Sequence, residues 1–286
     1  MGPESRHEML PVLAERLITA AEQEHIKLRA FGGVGVRMHC SGMRNPLYGR
    51  RLYLKYDSDI GKDVYDLDLV ADGSQILRVH AFMEASKLEM LGSPNCYRAG
   101  EHRSYLRSID TSTALSVDVY FGALRFNHEI PRPYFAKGSL LTIPVTQLLL
   151  SKLAIVNTDE GGSISDLPLK DKIDITALIA EHEIDRTNDP EIIRANLLMK
   201  AWCSGCSGWG MARTCLANLE SVSRYIKELG SLPEHVQIKI ESGVRQLTAL
   251  ILRCPKSLCW KTRNVLGTDF MGVTLPYYDE VKPFAR

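Results

Sequence analysis

The chain has no apolar run long enough to cross a bilayer as a helix, and its first residues are too polar for a secretory signal. It has almost no excess charge: 35 Lys and Arg stand against 34 Asp and Glu. That balance gives no strong field for nucleic acid or an anionic membrane, although a local basic patch is compatible with it. Regular cysteine spacing is missing too, and seven cysteines, an odd number, suit a reducing compartment better than a disulfide scaffold. No internal repeat or low-complexity segment is visible. The expectation is a cytoplasmic protein without membrane contact. What is present is ordinary: 45% hydrophobic and 24% charged residues describe a globular chain, and 286 residues leave room for roughly two domains.

Leu10, Leu13, Leu17, Ile18 and Ala21 recur at helical spacing and predict a helix within residues 7–28. A short apolar piece then meets Gly32-Gly33, after which residues 34–39 restart as a helix. Residues 41–63, rich in Gly, Arg, Asp and Tyr, read as a long excursion with little core. Tyr65-Asp66-Leu67-Asp68-Leu69-Val70 reads as a strand closed by Ala71-Asp72-Gly73-Ser74, with a helix over 75–91 and strands over 105–109 and 115–121. Beyond Pro144 the texture is helical, over 145–156, 170–182, 190–202, 210–229 and 234–254. The expected fold class is α+β: a mixed sheet flanked by helices in residues 1–143, then a helical domain in 144–286.

On a strand, Asp66 and Asp68 project together while Leu67 and Leu69 face the other layer. Side-by-side carboxylates repel unless a cation neutralises both, and an all-oxygen set suits Mg²⁺. Asp118, inside Leu115-Ser116-Val117-Asp118-Val119-Tyr120-Phe121, is costly in so apolar a strand unless paired or bound to metal. Three such aspartates are enough for two ions about 3.5–4 Å apart. The blander alternatives are a strand-end cap for Asp66 and Asp68 and a buried arginine partner for Asp118. Gly32 and Gly33, after an apolar strand and before a helix, would bring backbone N–H groups close to a phosphate; taken alone they are a plain tight turn.

Phe31-Gly32-Gly33, Tyr65-Asp66-Leu67-Asp68-Leu69 and Val117-Asp118-Val119, in that order, resemble the polymerase-β-like nucleotidyltransferase superfamily. Phe126-Asn127-His128-Glu129-Ile130, the run from Leu148 through Lys152 to Val156, Lys170-Asp171-Lys172-Ile173-Asp174 and Trp209-Gly210-Met211-Ala212 with Asn218-Leu219-Glu220 are similar to a widespread microbial nucleotidyltransferase-like family related to the AbiEii toxin group. The likeness spans roughly residues 30–225. It implies a nucleotidyltransferase fold whose helical domain completes the cleft for nucleotide and acceptor. It also implies Asp66, Asp68 and Asp118 as catalytic metal ligands for two Mg²⁺ ions, and Gly32, Gly33, Lys152 and Asp171 as nucleotide-binding residues, with Lys152 also catalytic. The substrate would be an NTP and the acceptor tRNA, with a cognate antitoxin as partner; a small aminoglycoside-type acceptor and a catalytically silent nucleotide-binding module are the alternatives. The chain departs from the family in its 41–63 insert, a second insert over 160–168, and Gly-Gly in place of Gly-Ser, which bear on substrate more than on fold.

Lys152 has only apolar neighbours at helical spacing, so it either snorkels or points into a polar cleft, where it would hold triphosphate. Asp171 and Asp174 share a helix face, and one of them would orient Lys152; capping the helix is the alternative for Asp171. His128 is read as structural. Cys203-Ser-Gly-Cys206 has the spacing of half a zinc site, with Cys215, Cys254 and Cys259 to complete it, but buried thiols packed between helices are the preferred reading. The Tyr277-Tyr278 tail is not readable.

Overall fold

The structure is a computed structural model that describes residues 9–40, 42, 54–58, 60–91, 102–135, 141–157, 166–203, 205, 207–230 and 232–266. Most of the 41–63 insert, much of the second insert, Cys206 and the Tyr277-Tyr278 tail lie outside them. The chain divides into two compact units. The first takes Met1–Ser41, Arg50–Leu124 and Arg132–Pro144, and the second takes Gly42–Gly49, Arg125–Pro131 and Val145–Arg286.

In the first unit, helix α1 (Met9–Gln23) leads to strand β1 (Leu28–Ala30) and helix α2 (Gly32–His39). Strands β2 (Leu54–Asp57) and β3 (Lys62–Ala71) follow, then helix α3 (Ile76–Ala85), β4 (Glu89–Met90), β5 (His102–Ser108) and β6 (Thr113–Phe121). The sheet order is β1-β3-β6-β5-β4, with β2 also on β3. Among the described residues β3 and β6 pair in parallel and the other strand pairs of this sheet are antiparallel, so the sheet is mixed.

One face of this sheet makes the core. Tyr65, Leu67, Leu69 and Ala71 alternate along β3, and Leu115, Val117, Val119 and Phe121 along β6. They pack with Leu10, Ala14 and Ile18 of α1 and Val79, Phe82 and Met83 of α3. Each fully buried Leu or Val contributes roughly 1.5–3 kcal/mol relative to exposure. Period-two alternation therefore locks the strand register: a one-residue slip would drive the aspartates into this core.

The elements differ from expectation in places. The end of the 41–63 excursion is not coreless loop but β2, paired with a β3 that begins at Lys62. The helix expected over 75–91 stops at Ala85, where Ser86 and a left-handed Lys87 (φ 60°) turn the chain into β4. His25 (φ 56°) ends the first helix early in the same way.

The second unit is helical: α4 (Val145–Leu153), α5 (Leu169–Glu181), α6 (Ala195–Cys203), α7 (Ser207–Leu229), α8 (Glu234–Arg253) and α9 (Leu258–Leu266), with a short parallel pair β7 (Ile184–Asp185) and β8 (Ile193–Arg194). The long α7 and α8 are amphipathic. Trp209, Ala212, Cys215, Leu219, Val222 and Ile226 of α7 recur at three and four residues and are buried. By contrast α4 is buried on all sides, including at Lys152. Among the described residues no helix is long and apolar enough to cross a membrane.

Candidate functional site

The aspartates meet on the other face of the first unit's sheet. The parallel register sets Asp68 opposite Asp118 and Asp66 opposite Ser116, and opposed residues share a face. One oxygen from each of Asp66, Asp68 and Asp118 lies within 4.8 Å of the other two, with Asp66 exposed and the other two half-buried. This face is open to solvent, so Asp118 does not sit deep in apolar surroundings as its neighbours in sequence suggest, nor does an arginine hold it. Its Oδ1 accepts a bond from Ser104 Oγ and lies 3.2 Å from His102 Nε2. Both contacts fall on one oxygen, which leaves Oδ2 outside that pair of bonds.

Gly32 reaches the same place from β1. Phe31 N–H donates to the carbonyl of Asp68 at 3.0 Å, pinning the start of α2 to the aspartate strand. Gly32 then takes φ +62°, and a Cβ built on it would overlap Asp68 Oδ2 and come within 2.9 Å of Cγ. Only glycine fits, by conformation and by contact. The first-turn N–H groups of α2, which a helix leaves without intrahelical acceptors, therefore begin beside the carboxylates. Both glycines are buried, so this backbone presents an edge, not a broad surface, to solvent. Tyr120, two residues beyond Asp118, packs edge-on to Phe31 at 5.3 Å and against His102 at 4.4 Å, forming an aromatic wall beside the acidic group.

His102 and Ser104 are absent from the sequence reading, and Tyr120 enters it only as part of the strand that carries Asp118. The strand expected over 105–109 in fact begins at His102, and its early residues have no apolar alternation, Tyr105 being its only buried position. The signal that could have found them is register, since Ser104 opposes Asp118 and His102 opposes Tyr120.

Lys152 and Asp171 belong to the second unit and form a cluster of their own. Lys152 Nζ lies 2.8 Å from Asp171 Oδ1 and 2.9 Å from Asp174 Oδ2. The three residues are 7%, 2% and 0% exposed, so the lysine neither snorkels nor opens to a broad polar surface. Asp171 does not cap α5, whose N-cap is Pro168, and both aspartates hold the ammonium. With all three groups ionised, one positive and two negative charges leave the cluster at −1.

Other motif residues serve the frame of this unit. Asn218 Nδ2 donates to the carbonyls of Leu153 and Ile155, both at 2.8 Å, satisfying the end of α4. Asn127 Oδ1 accepts from Val156 N–H at 3.0 Å. His128 lies 3.1 Å from Thr214 Oγ1 and over Gly210, where an added Cβ would approach its ring to 3.3 Å. Burial pushes the His128 imidazole down to about 4, so it is neutral near pH 7.

No protein-family model matches this chain, and no curated protein matches it. The chemistry of the donor set is therefore the test for a metal. Three carboxylates, no thiol and partial solvent access fit a hard divalent ion. Mg–O bonds of 2.0–2.1 Å place ligand oxygens about 3 to 4.2 Å apart, within reach of this spacing.

Proposed function

We propose that the chain is a metal-dependent nucleotidyltransferase of the polymerase-β-like fold. It moves a nucleoside monophosphate from an NTP to an acceptor hydroxyl or phosphate, with pyrophosphate leaving. The observation that supports it is the meeting of Asp66, Asp68 and Asp118 on one open face, against a left-handed glycine that opens a helix. Two Mg²⁺ ions held by these aspartates would supply charge neutralisation and an activated acceptor oxygen.

The chain's own residues have distinct tasks. Gly32 and Gly33 present first-turn N–H groups to the phosphates. His102 and Ser104 fix Asp118 through Oδ1 and so aim its second oxygen. The Lys152 ammonium already faces two buried carboxylates, so a triphosphate would have to replace one of them. Its structural role in joining α4 to α5 stands without that contact.

The even charge balance favours a small acceptor over RNA, since phosphate binding by proteins draws on an excess of Lys and Arg. Toxin-like transfer to tRNA, with an antitoxin partner, is the competing acceptor class. The deciding experiment incubates the protein with each α-labelled NTP, Mg²⁺ and total RNA, and scores label in RNA against label in small molecules. Label independent of Asp118, seen as equal incorporation by D118N, would sink the proposal; NTP binding without turnover would reassign the chain as a silent nucleotide-binding module.

A further inference from the structure

The second unit holds a disulfide that plays no part in the proposed transfer. Cys203 ends α6, and Cys254 follows the last residue of α8. Their sulfurs are bonded across a sequence separation of 51 residues, with Cα atoms 6.4 Å apart, so they are not the separate buried thiols that the sequence suggests. Hydrogen bonds hold the same two stretches of chain together beside the bond. Ser257 N–H donates to the Cys203 carbonyl at 3.3 Å, and Trp260 Nε1 donates to the Trp202 carbonyl at 3.0 Å.

The two sulfurs are not equivalent. Lys256 Nζ lies 2.7 Å from Cys254 Sγ and 3.8 Å from Cys203 Sγ. The ammonium is fixed there, donating to the Ile251 carbonyl and lying over the Trp260 ring at 5.0 Å. A neutral disulfide sulfur is a weak acceptor and gains little from such a cation, whereas a thiolate in its place is stabilised by it. Burial pulls the Lys256 ammonium down from the ordinary lysine range, a cost that a facing thiolate would offset. Access is uneven as well: Cys203 is 8% exposed and Cys254 4%, so the more open sulfur is the one farther from the cation. Exchange proceeds by attack on one sulfur and departure of the other as a thiolate, and it is faster the better that thiolate is stabilised.

We infer that the Cys203–Cys254 disulfide is a thiol–disulfide exchange site that takes two electrons from a dithiol reductant, with Lys256 stabilising the departing sulfur. A thiolate of the reductant attacks Cys203 Sγ, the S–S bond breaks, and its electron pair leaves on Cys254 Sγ beside Lys256. The reductant's second thiolate then attacks the reductant's own sulfur in the mixed disulfide. The reductant departs as a disulfide, and Cys203 is released as a thiolate. Two protons pass from the reductant to solvent; Cys203 takes one back and Cys254 stays ionised. The hydrogen bonds from Ser257 and Trp260 do not depend on the S–S bond, so the sulfurs stay near enough to re-form it when an oxidised dithiol reverses these steps. Cys215 is inert by comparison: it is free and buried in the core, which pushes its thiol up to about 12.

The full chain, purified without reductant, is equilibrated in its folded state with mixtures of reduced and oxidised dithiothreitol, quenched in acid and mapped by peptide mass and fragmentation. The Cys203–Cys254 link should open and re-form reversibly while the chain stays folded. Iodoacetamide pulsed onto the reduced, folded chain across a pH series should label Cys254 with a midpoint at lower pH than Cys203, a comparison that needs no variant. K256M should shift the equilibrium toward the disulfide by about 10-fold and raise the Cys254 labelling midpoint, and K256R should restore both. Cys203 and Cys254 recovered as thiols from the unreduced chain, a link that opens only on unfolding, a Cys254 midpoint at or above that of Cys203, or a folded K256M that equilibrates as wild type does would each overturn the inference.

Discussion

Replacing Lys152 by Met tests how the second unit accommodates its buried charge. Methionine keeps the length of the side chain and removes only the ammonium and its charge. Asp171 and Asp174, 2% and 0% exposed, would then face each other without a cation between them. Each carboxylate now lies within 3 Å of Nζ, 2.8 Å for one and 2.9 Å for the other. The attraction across such a pair is largely cancelled by desolvation, so the intact cluster adds little net stability. Removing one partner is a different matter, because the desolvation cost of the rest stays uncompensated, at about 3–5 kcal/mol. With a urea m-value of about 2 kcal/mol/M, K152M should shift the unfolding midpoint down by roughly 1.5–2.5 M. Trp202, Trp209 and Trp260 all lie in the second unit, so intrinsic fluorescence reads its unfolding alone. The triple variant K152M/D171N/D174N, with no charge left to strand, should recover much of the loss. A K152M midpoint matching wild type, or a triple variant no better than the single, would refute the buried cluster.

Four further outcomes are expected. D68N and D118N should abolish transfer while leaving the melting temperature unchanged or raised, since a like-charge cluster is relieved. Added Mg²⁺ should stabilise wild type by about 2–3 kcal/mol near a hundredfold excess over its Kd, and D118N hardly at all, by calorimetry. G32A should lose about 2–3 kcal/mol, from the left-handed backbone and the overlap with Asp68, and should also blunt Mg²⁺ stabilisation. His128 titrates lower in the folded protein, about 4, than its unfolded value near 6.5. Its contribution is therefore complete above pH 6.5 and lost as pH falls from there toward 4, on the order of 2 kcal/mol for a half-buried ring. H128Q should flatten that part of the pH–stability curve, followed by tryptophan fluorescence.

Strands that bury one face write their pattern in the sequence. Along β3 and β6 the apolar residues fall at every second position, and the aspartates occupy positions between them, so both the mixed α+β frame and the shared face of Asp66 and Asp68 could be read locally. Amphipathic α7 and α8 were legible for the same reason at helical period. The short strands β4, β7 and β8 were not, since two residues carry no period. Because α4 is buried on every side, nothing in its own residues said what Lys152 meets; that depends on Asp171 and Asp174 arriving from α5.

The partners of Asp118 show why a site is harder to read than a strand. His102 and Ser104 lie on β5, and what brings them to Asp118 is the register set by the tight connection between β5 and β6, where Ile109 and Asp110 N–H both donate to the Thr113 carbonyl. Shorten that turn by one residue and Arg103 would oppose Asp118 and share its open face, turning His102 and Ser104 to the core side and Tyr105 out of the core. The carboxylate would then lose both hydrogen bonds without any change in its own strand. A deletion within residues 109–112 is thus expected to abolish Mg²⁺ stabilisation although Asp66, Asp68, Asp118 and Gly32 are all retained, whereas an insertion in the exposed turn before β3 should not. A deletion variant that bound Mg²⁺ as wild type does would mean that His102 and Ser104 contribute nothing to the placement of Asp118.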